Sequence, residues 1–167
     1  AILDTDVKYL DRESGENLPY GLDGYRYQWV DLDGEGISGI LTEQANSWFY
    51  KYNLGDGKFG PLSQVPKTPS LSSLTSGRSR LMDLDGDGHL DVVEFDRAVP
   101  GFYERTNEKI WKNFTPFVSF PRFSWNDPNL RFIDLTGDGL ADIMVTEDDI
   151  ILWYPSLGEV GFAKSRR

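Results

Sequence analysis

Three acidic segments recur along the chain: DLDGEGISGIL from Asp31, DLDGDGHLDVV from Asp83 and DLTGDGLADIM from Asp134, with starts 52 and then 51 residues apart. No other feature restricts the fold as much. A unit of about 50 residues is too small to bury an apolar face alone and must stack on its neighbours. The alignment extends past the acidic loops: 19 positions after each first Asp lie Tyr50, Phe102 and Trp153, and 28 positions after it lie Phe59, Trp111 and Phe162.

Each loop is preceded by an apolar pair (WV, LM, FI) and followed by an apolar run (ISGIL, LDVVEF, ADIMV), which reads as strand, tight glycine-containing loop, strand. A third strand carries the first aromatic column, in SWFYKYN, PGFYER and IILWYP, and the second column opens a fourth. Four short antiparallel strands per unit describe a β-propeller blade. The expected fold class is therefore all-β, with about three four-stranded repeats of ~51 residues forming a partial propeller or a piece of a larger one. Residues 1–26 are assigned to a lead-in and a strand from a preceding blade. Blades follow at 27–78, 79–129 and 130–167, the last incomplete. Three units do not close a ring, since closed propellers use about four to eight blades.

The middle copy also satisfies the EF-hand expression, with Glu94 at its twelfth position, but the flanks exclude that fold. Only RSRLM separates Gly77 from Asp83, and Pro100 follows Glu94 by six residues, so neither flanking helix has room.

Alternating carboxylates in a tight loop suit a hard cation such as Ca2+, which takes six to eight oxygen ligands. In the middle copy the expected ligands are the side chains of Asp83, Asp85, Asp87 and Asp91 and the carbonyl of His89, whose imidazole is expected to face solvent. The third copy offers Asp134, Thr136, Asp138 and Asp142 with the carbonyl of Leu140, a weaker set because Thr136 replaces a carboxylate. Asp31, Asp33 and Glu35 form the first set, which lacks the ninth-position anchor because Gly39 stands there. The expected order of affinity is middle, third, first, with calcium in a structural role. The competing reading is that Asp and Gly simply make turns, their carboxylates accepting loop N–H groups.

The repeated aromatics are expected to fill the space between stacked sheets. The non-repeating Trp29, Trp48, Tyr52, Phe123 and Trp125 are freer to serve an interface. A net charge of −10 argues against nucleic-acid binding. No apolar run approaches the ~20 residues of a membrane helix. There is no Ser-His-Asp order, phosphate loop or HExxH motif, and Glu147, Asp148 and Asp149 read as a solvated turn, so a non-enzymatic role is expected.

The pattern D-x-D-x-D-G-x-x-D-hydrophobic, with the aromatic–glycine pairs of KFGP at 58–61 and VGFA at 160–163, resembles the FG-GAP or VCBS repeats of integrin-like propellers. A narrower resemblance covers nearly the whole chain. DLDGEGISGILTEQ, PGFYERT, SWNDPNLRFIDLTGDGLADIMVTEDD and WYPSLGEVGF are similar to the propeller region of the B component of bacterial insecticidal toxin complexes and the related virulence-plasmid B family. That resemblance implies a secreted protein whose propeller docks on a pore-forming A component and gates passage of the toxic payload. The partner is then the A component or the rest of the parent propeller, with self-assembly of copies as another way to complete the ring. A carbohydrate-binding propeller and an integrin-like adhesion module are the alternatives.

Overall fold

The computed structural model describes residues 7, 9–18, 27–69, 74, 78–125 and 127–167. They form three antiparallel sheets with consecutive strand order. The first contains β1 (Tyr27–Val30), β2 (Gly39–Gln44), β3 (Ser47–Gly55) and β4 (Lys58–Gln64); the second contains β5 (Ser79–Met82), β6 (Asp91–Glu94), β7 (Gly101–Tyr103) and β8 (Thr115–Pro116). The third contains β9 (Leu130–Ile133), β10 (Asp142–Glu147) and β11 (Ile150–Tyr154). This is an all-β partial propeller in which each acidic segment joins the first two strands of a sheet.

Of the lead-in, residues 1–6, 8 and 19–26 lie outside the described residues; the described part holds one helical turn, α1 (Arg12–Gly15). Asp11 caps this turn by accepting the Ser14 N–H at 2.7 Å, and the Ser14 hydroxyl accepts the Phe59 N–H of β4 at 2.9 Å.

The fourth strand shortens along the chain. Phe59 lies within β4, whereas Trp111 precedes β8 and pairs as an isolated bridge with Arg105. In the third blade the returning chain forms isolated bridges in place of a fourth strand, Trp153–Arg166 on β11 and Ser156–Phe162 just beyond it. Pro116 in β8 fits this pattern, since proline is tolerated on an edge strand and not within a sheet.

Strand periodicity decides which sheet each side chain meets. Successive residues of a strand point to opposite faces, so on β6 Val92 joins Leu41, Trp48 and Tyr50 against the first sheet, while Val93 joins Phe102, Ile143 and Phe162 against the third. The second sheet is thus sandwiched between two dry interfaces. The aromatic columns obey the same rule: Tyr50 and Phe102 face the following sheet and are 2 % exposed. Trp153, at the same register in the last sheet, has no described sheet beyond it and is only half-buried. The same face of the third sheet carries Ile133 and Ile151, 45 % and 55 % exposed.

Four of the five aromatics read as freer to serve an interface pack against other side chains instead. Trp48 is 1 % exposed and meets Trp111 edge-on at 5.9 Å. Trp125 stacks on Phe95 at 4.4 Å, with the Arg80 guanidinium 5.6 Å from its ring centre. Phe123 packs against Phe120 and Tyr154 at 5.5 and 5.7 Å, and Tyr52 is tied to Asp33; Trp29 is the one of the five that is 46 % exposed.

Candidate metal-binding loops

The first Asp of each loop organises it by accepting main-chain N–H groups, two in the first and second loops and three in the third. Asp83 accepts those of Gly86 at 2.7 Å and Gly88 at 3.0 Å; Asp134 accepts those of Gly137 at 2.7 Å and Gly139 at 2.9 Å. Asp31 accepts from Glu35 at 2.7 Å and Gly36 at 2.6 Å. Gly86 and Gly88 have φ of 80° and 88°, a region that costs glycine little and lets the chain wrap the carboxylate. These bonds, the Gly139 N–H foremost, hold the Asp134 carboxyl below the usual carboxylate range.

The ninth position straps the loop to the core. Asp91 is buried and accepts the Leu84 N–H at 3.3 Å and the Arg105 N–H, just past β7, at 2.9 Å. Asp142 repeats the arrangement with Leu135 at 3.0 Å and Ser156 at 2.7 Å. Both carboxylate oxygens of each residue therefore already serve main-chain donors. Burial raises the Asp91 carboxyl to about 7, with the Arg105 and Leu84 N–H groups acting in the opposite sense.

Where the first loop has Gly39, the Tyr50 hydroxyl fills the vacancy. It accepts the N–H groups of Gly39 at 3.2 Å and Leu32 at 3.4 Å and donates to the Val30 carbonyl at 2.9 Å. A Cβ at position 39 would overlap that hydroxyl, so Gly39 and Tyr50 are complementary. The sequence reading missed this role, although a signal was present: only the copy without the ninth Asp has a hydroxyl-bearing aromatic in the first column.

Above these straps the loops differ. In the middle loop, carboxylate oxygens of Asp83, Asp85 and Asp87 all lie within 4.8 Å of one another. That matches donors around one calcium ion, because two oxygens each about 2.5 Å from the metal are separated by at most roughly 5 Å. The Asp87 N–H donates to Asp85 at 3.1 Å and the His89 N–H to Asp87 at 2.7 Å. Burial, with added repulsion from Asp87 and Asp83, raises the Asp85 carboxyl. The His89 imidazole, expected in solvent, is instead largely covered: its side chain is 16 % exposed and Nδ1 lies 3.1 Å from Asp87 Oδ1.

In the third loop the Thr136 hydroxyl donates to Asp134 at 3.3 Å and the Leu140 N–H to Asp138 at 2.9 Å, and no three carboxylates converge there among the described residues. In the first loop Asp33 is taken up by protein cations. Its Oδ1 accepts Arg105 Nε at 2.7 Å and Nη2 at 2.6 Å, and its Oδ2 accepts the Tyr52 hydroxyl at 2.8 Å and Lys109 Nζ at 3.0 Å. Burial alone would raise the Asp33 carboxyl; these partners outweigh it and hold the group below its ordinary range.

Residues 83–145, spanning the second and third hairpins, match the FG-GAP-like repeat. No curated protein matches the chain in sequence. Among solved structures, a chain of the Photorhabdus luminescens Tc holotoxin pore is similar over 84 % of this chain, at 30 % identity and a TM-score of 0.71. The TcdB2–TccC3 complex is similar over 84 % of it, at 19 % identity and a TM-score of 0.61, which speaks to the fold alone. An Agrocybe aegerita lectin, described as recognising non-reducing terminal N-acetylglucosamine, is similar over 81 % at 25 % identity and a TM-score of 0.54. The chain spans 6 % and 7 % of the two toxin chains and 36 % of the lectin.

Proposed function

We propose that this chain is a calcium-stabilised, non-enzymatic β-propeller segment that works through protein–protein contact within a secreted toxin complex, as part of a B component that docks on the pore-forming A component and gates passage of the payload. The observation that carries the reading is the likeness in both sequence and fold to the Tc holotoxin chain over most of the present sequence. In this reading the blades are 27–78, 79–129 and 130–167, and the face bearing Ile133, Ile151 and Trp153 meets the next blade of the parent propeller. The lectin-like alternative has less support, because the Trp48 and Trp125 indoles that would serve as sugar platforms are covered by protein.

Calcium would be held by Asp83, Asp85 and Asp87 with the His89 carbonyl, and more weakly by Asp134 and Asp138 with the Leu140 carbonyl. When bound, it supplies positive charge to carboxylates that otherwise repel one another. Asp91 and Asp142 act beneath them by tying each loop to the strand edge.

Docking is tested by titrating the calcium-loaded chain onto immobilised, purified A component. Saturable binding that an unrelated propeller does not reproduce supports the reading; no binding at concentrations up to ~100 μM, weaker than most specific complexes, removes the claim that this segment carries the contact.

A further inference from the structure

We infer that the first acidic loop takes no divalent ion, because the second blade supplies its cations. Residues 104–112 form a finger closed by the Thr106 N–H donating to the Ile110 carbonyl at 2.9 Å and by the Arg105–Trp111 bridge. The finger reaches back over the loop of the preceding blade. Arg105 is 2 % exposed, lies 4.7 Å from the centre of the Trp111 ring and forks onto Asp33, whose side chain is 1 % exposed. Lys109 Nζ completes the set, 3.0 Å from Asp33, 3.1 Å from the Tyr52 hydroxyl and 3.8 Å from Glu35. Two protein cations thus meet the carboxylates of Asp33 and Glu35 at the junction of two blades.

The next junction is built with the opposite charge. Asp85 stands in the middle loop where Asp33 stands in the first, and Ser156 occupies the place of Arg105, its N–H reaching Asp142 as the Arg105 N–H reaches Asp91. There the turn of the third blade closed by the Leu157 N–H donating to the Gly161 carbonyl presents Glu159, whose carboxylate converges with those of Asp85 and Glu104, the last of them paired with Lys112 Nζ at 2.6 Å. Among the described residues, no Lys or Arg nitrogen lies within ion-pair distance of Asp83, Asp85 or Asp87. The first junction is therefore a metal-independent latch, whereas at the second one cation, Lys112, faces three carboxylates and pairs with Glu104 alone. This deepens the calcium reading by assigning the ion to the second and third loops only, and the latch itself stands without that reading.

The test compares thermal melts of the whole chain with Asp33→Asn and Lys109→Met, in EDTA and in calcium. Each substitution is expected to lower the melting temperature by about 3–6 °C, equally in both media. A loss seen only with calcium present would overturn the latch, as would no loss in EDTA. Lys109 is 48 % exposed, so its replacement keeps the experiment decisive if Asp33→Asn fails to fold. In parallel, calcium is titrated into wild type and into Asp83→Asn plus Asp134→Asn. Binding by wild type that disappears in the double variant supports the assignment, and one site surviving in the variant overturns it. If wild type binds no calcium, the calcium reading fails and the EDTA melts alone decide the latch.

Discussion

Replacing Tyr50 by Phe removes one oxygen and leaves the ring in the first blade interface. Three main-chain groups lose their partner: the Gly39 N–H, the Leu32 N–H and the Val30 carbonyl, at 3.2, 3.4 and 2.9 Å from the hydroxyl. Tyr50 is 2 % exposed, so water does not readily replace it. An orphaned buried polar group costs about 1–3 kcal/mol, and counting the Leu32 contact as weak because it is long gives a loss of about 2–4 kcal/mol. For a chain of this size that corresponds to a fall in melting temperature of about 6–12 °C. Urea unfolding checks the magnitude through a lowered midpoint at unchanged slope. Tyr9→Phe, at a side chain 89 % exposed, is the control and should stay within ~0.5 kcal/mol of wild type. The alkaline limb offers a second reading: burial pushes the Tyr50 hydroxyl up to about 12, so between pH 10 and 12 the unfolded chain ionises first and stability falls. Tyr50→Phe should remove that component. A loss below ~0.5 kcal/mol, with the alkaline limb unchanged, would refute the assignment of this hydroxyl as the substitute for the ninth Asp.

Calcium is expected to raise the melting temperature of the wild-type chain above its value in EDTA, and Asp83→Ala plus Asp91→Ala should remove most of the rise, leaving only the part contributed by the weaker third loop; a wild type indifferent to calcium would leave the carboxylates as turn formers. In the metal-free chain burial raises the Asp91 carboxyl from the ordinary aspartate value of about 3.9 to about 7, so the folded state holds its proton longer and stability should fall, by up to ~4 kcal/mol, as pH rises between those values. Asp91→Asn should flatten that slope in urea unfolding at pH 5 and 8. Trp48→Ala should destabilise by about 3–5 kcal/mol through the cavity left against Trp111; a melt close to wild type would contradict its place in the core.

The period near 51 residues, the apolar runs and the Asp–Gly spacing were enough to derive strands, hairpin loops and a propeller-like stack, because the runs and spacing act locally and the period is read directly along the sequence. Tyr50, Phe102, Trp111 and Phe162 could be placed in the core for the same reason: side chains recurring at one register of stacked sheets meet their neighbours in the same way. The burial of Trp48 and the half-exposure of Trp153 depend on which sheet lies beyond each face, and no local pattern encodes that. Charge pairing is more remote still. Asp33 and Asp85 occupy equivalent places in near-identical loops, yet one meets Arg105, 72 positions away, and the other meets Glu159. The spacing of the carboxylates is written in the loop, but the sign of what faces them is set by a finger from the next blade, so only the tertiary structure separates a latch from a candidate ion site.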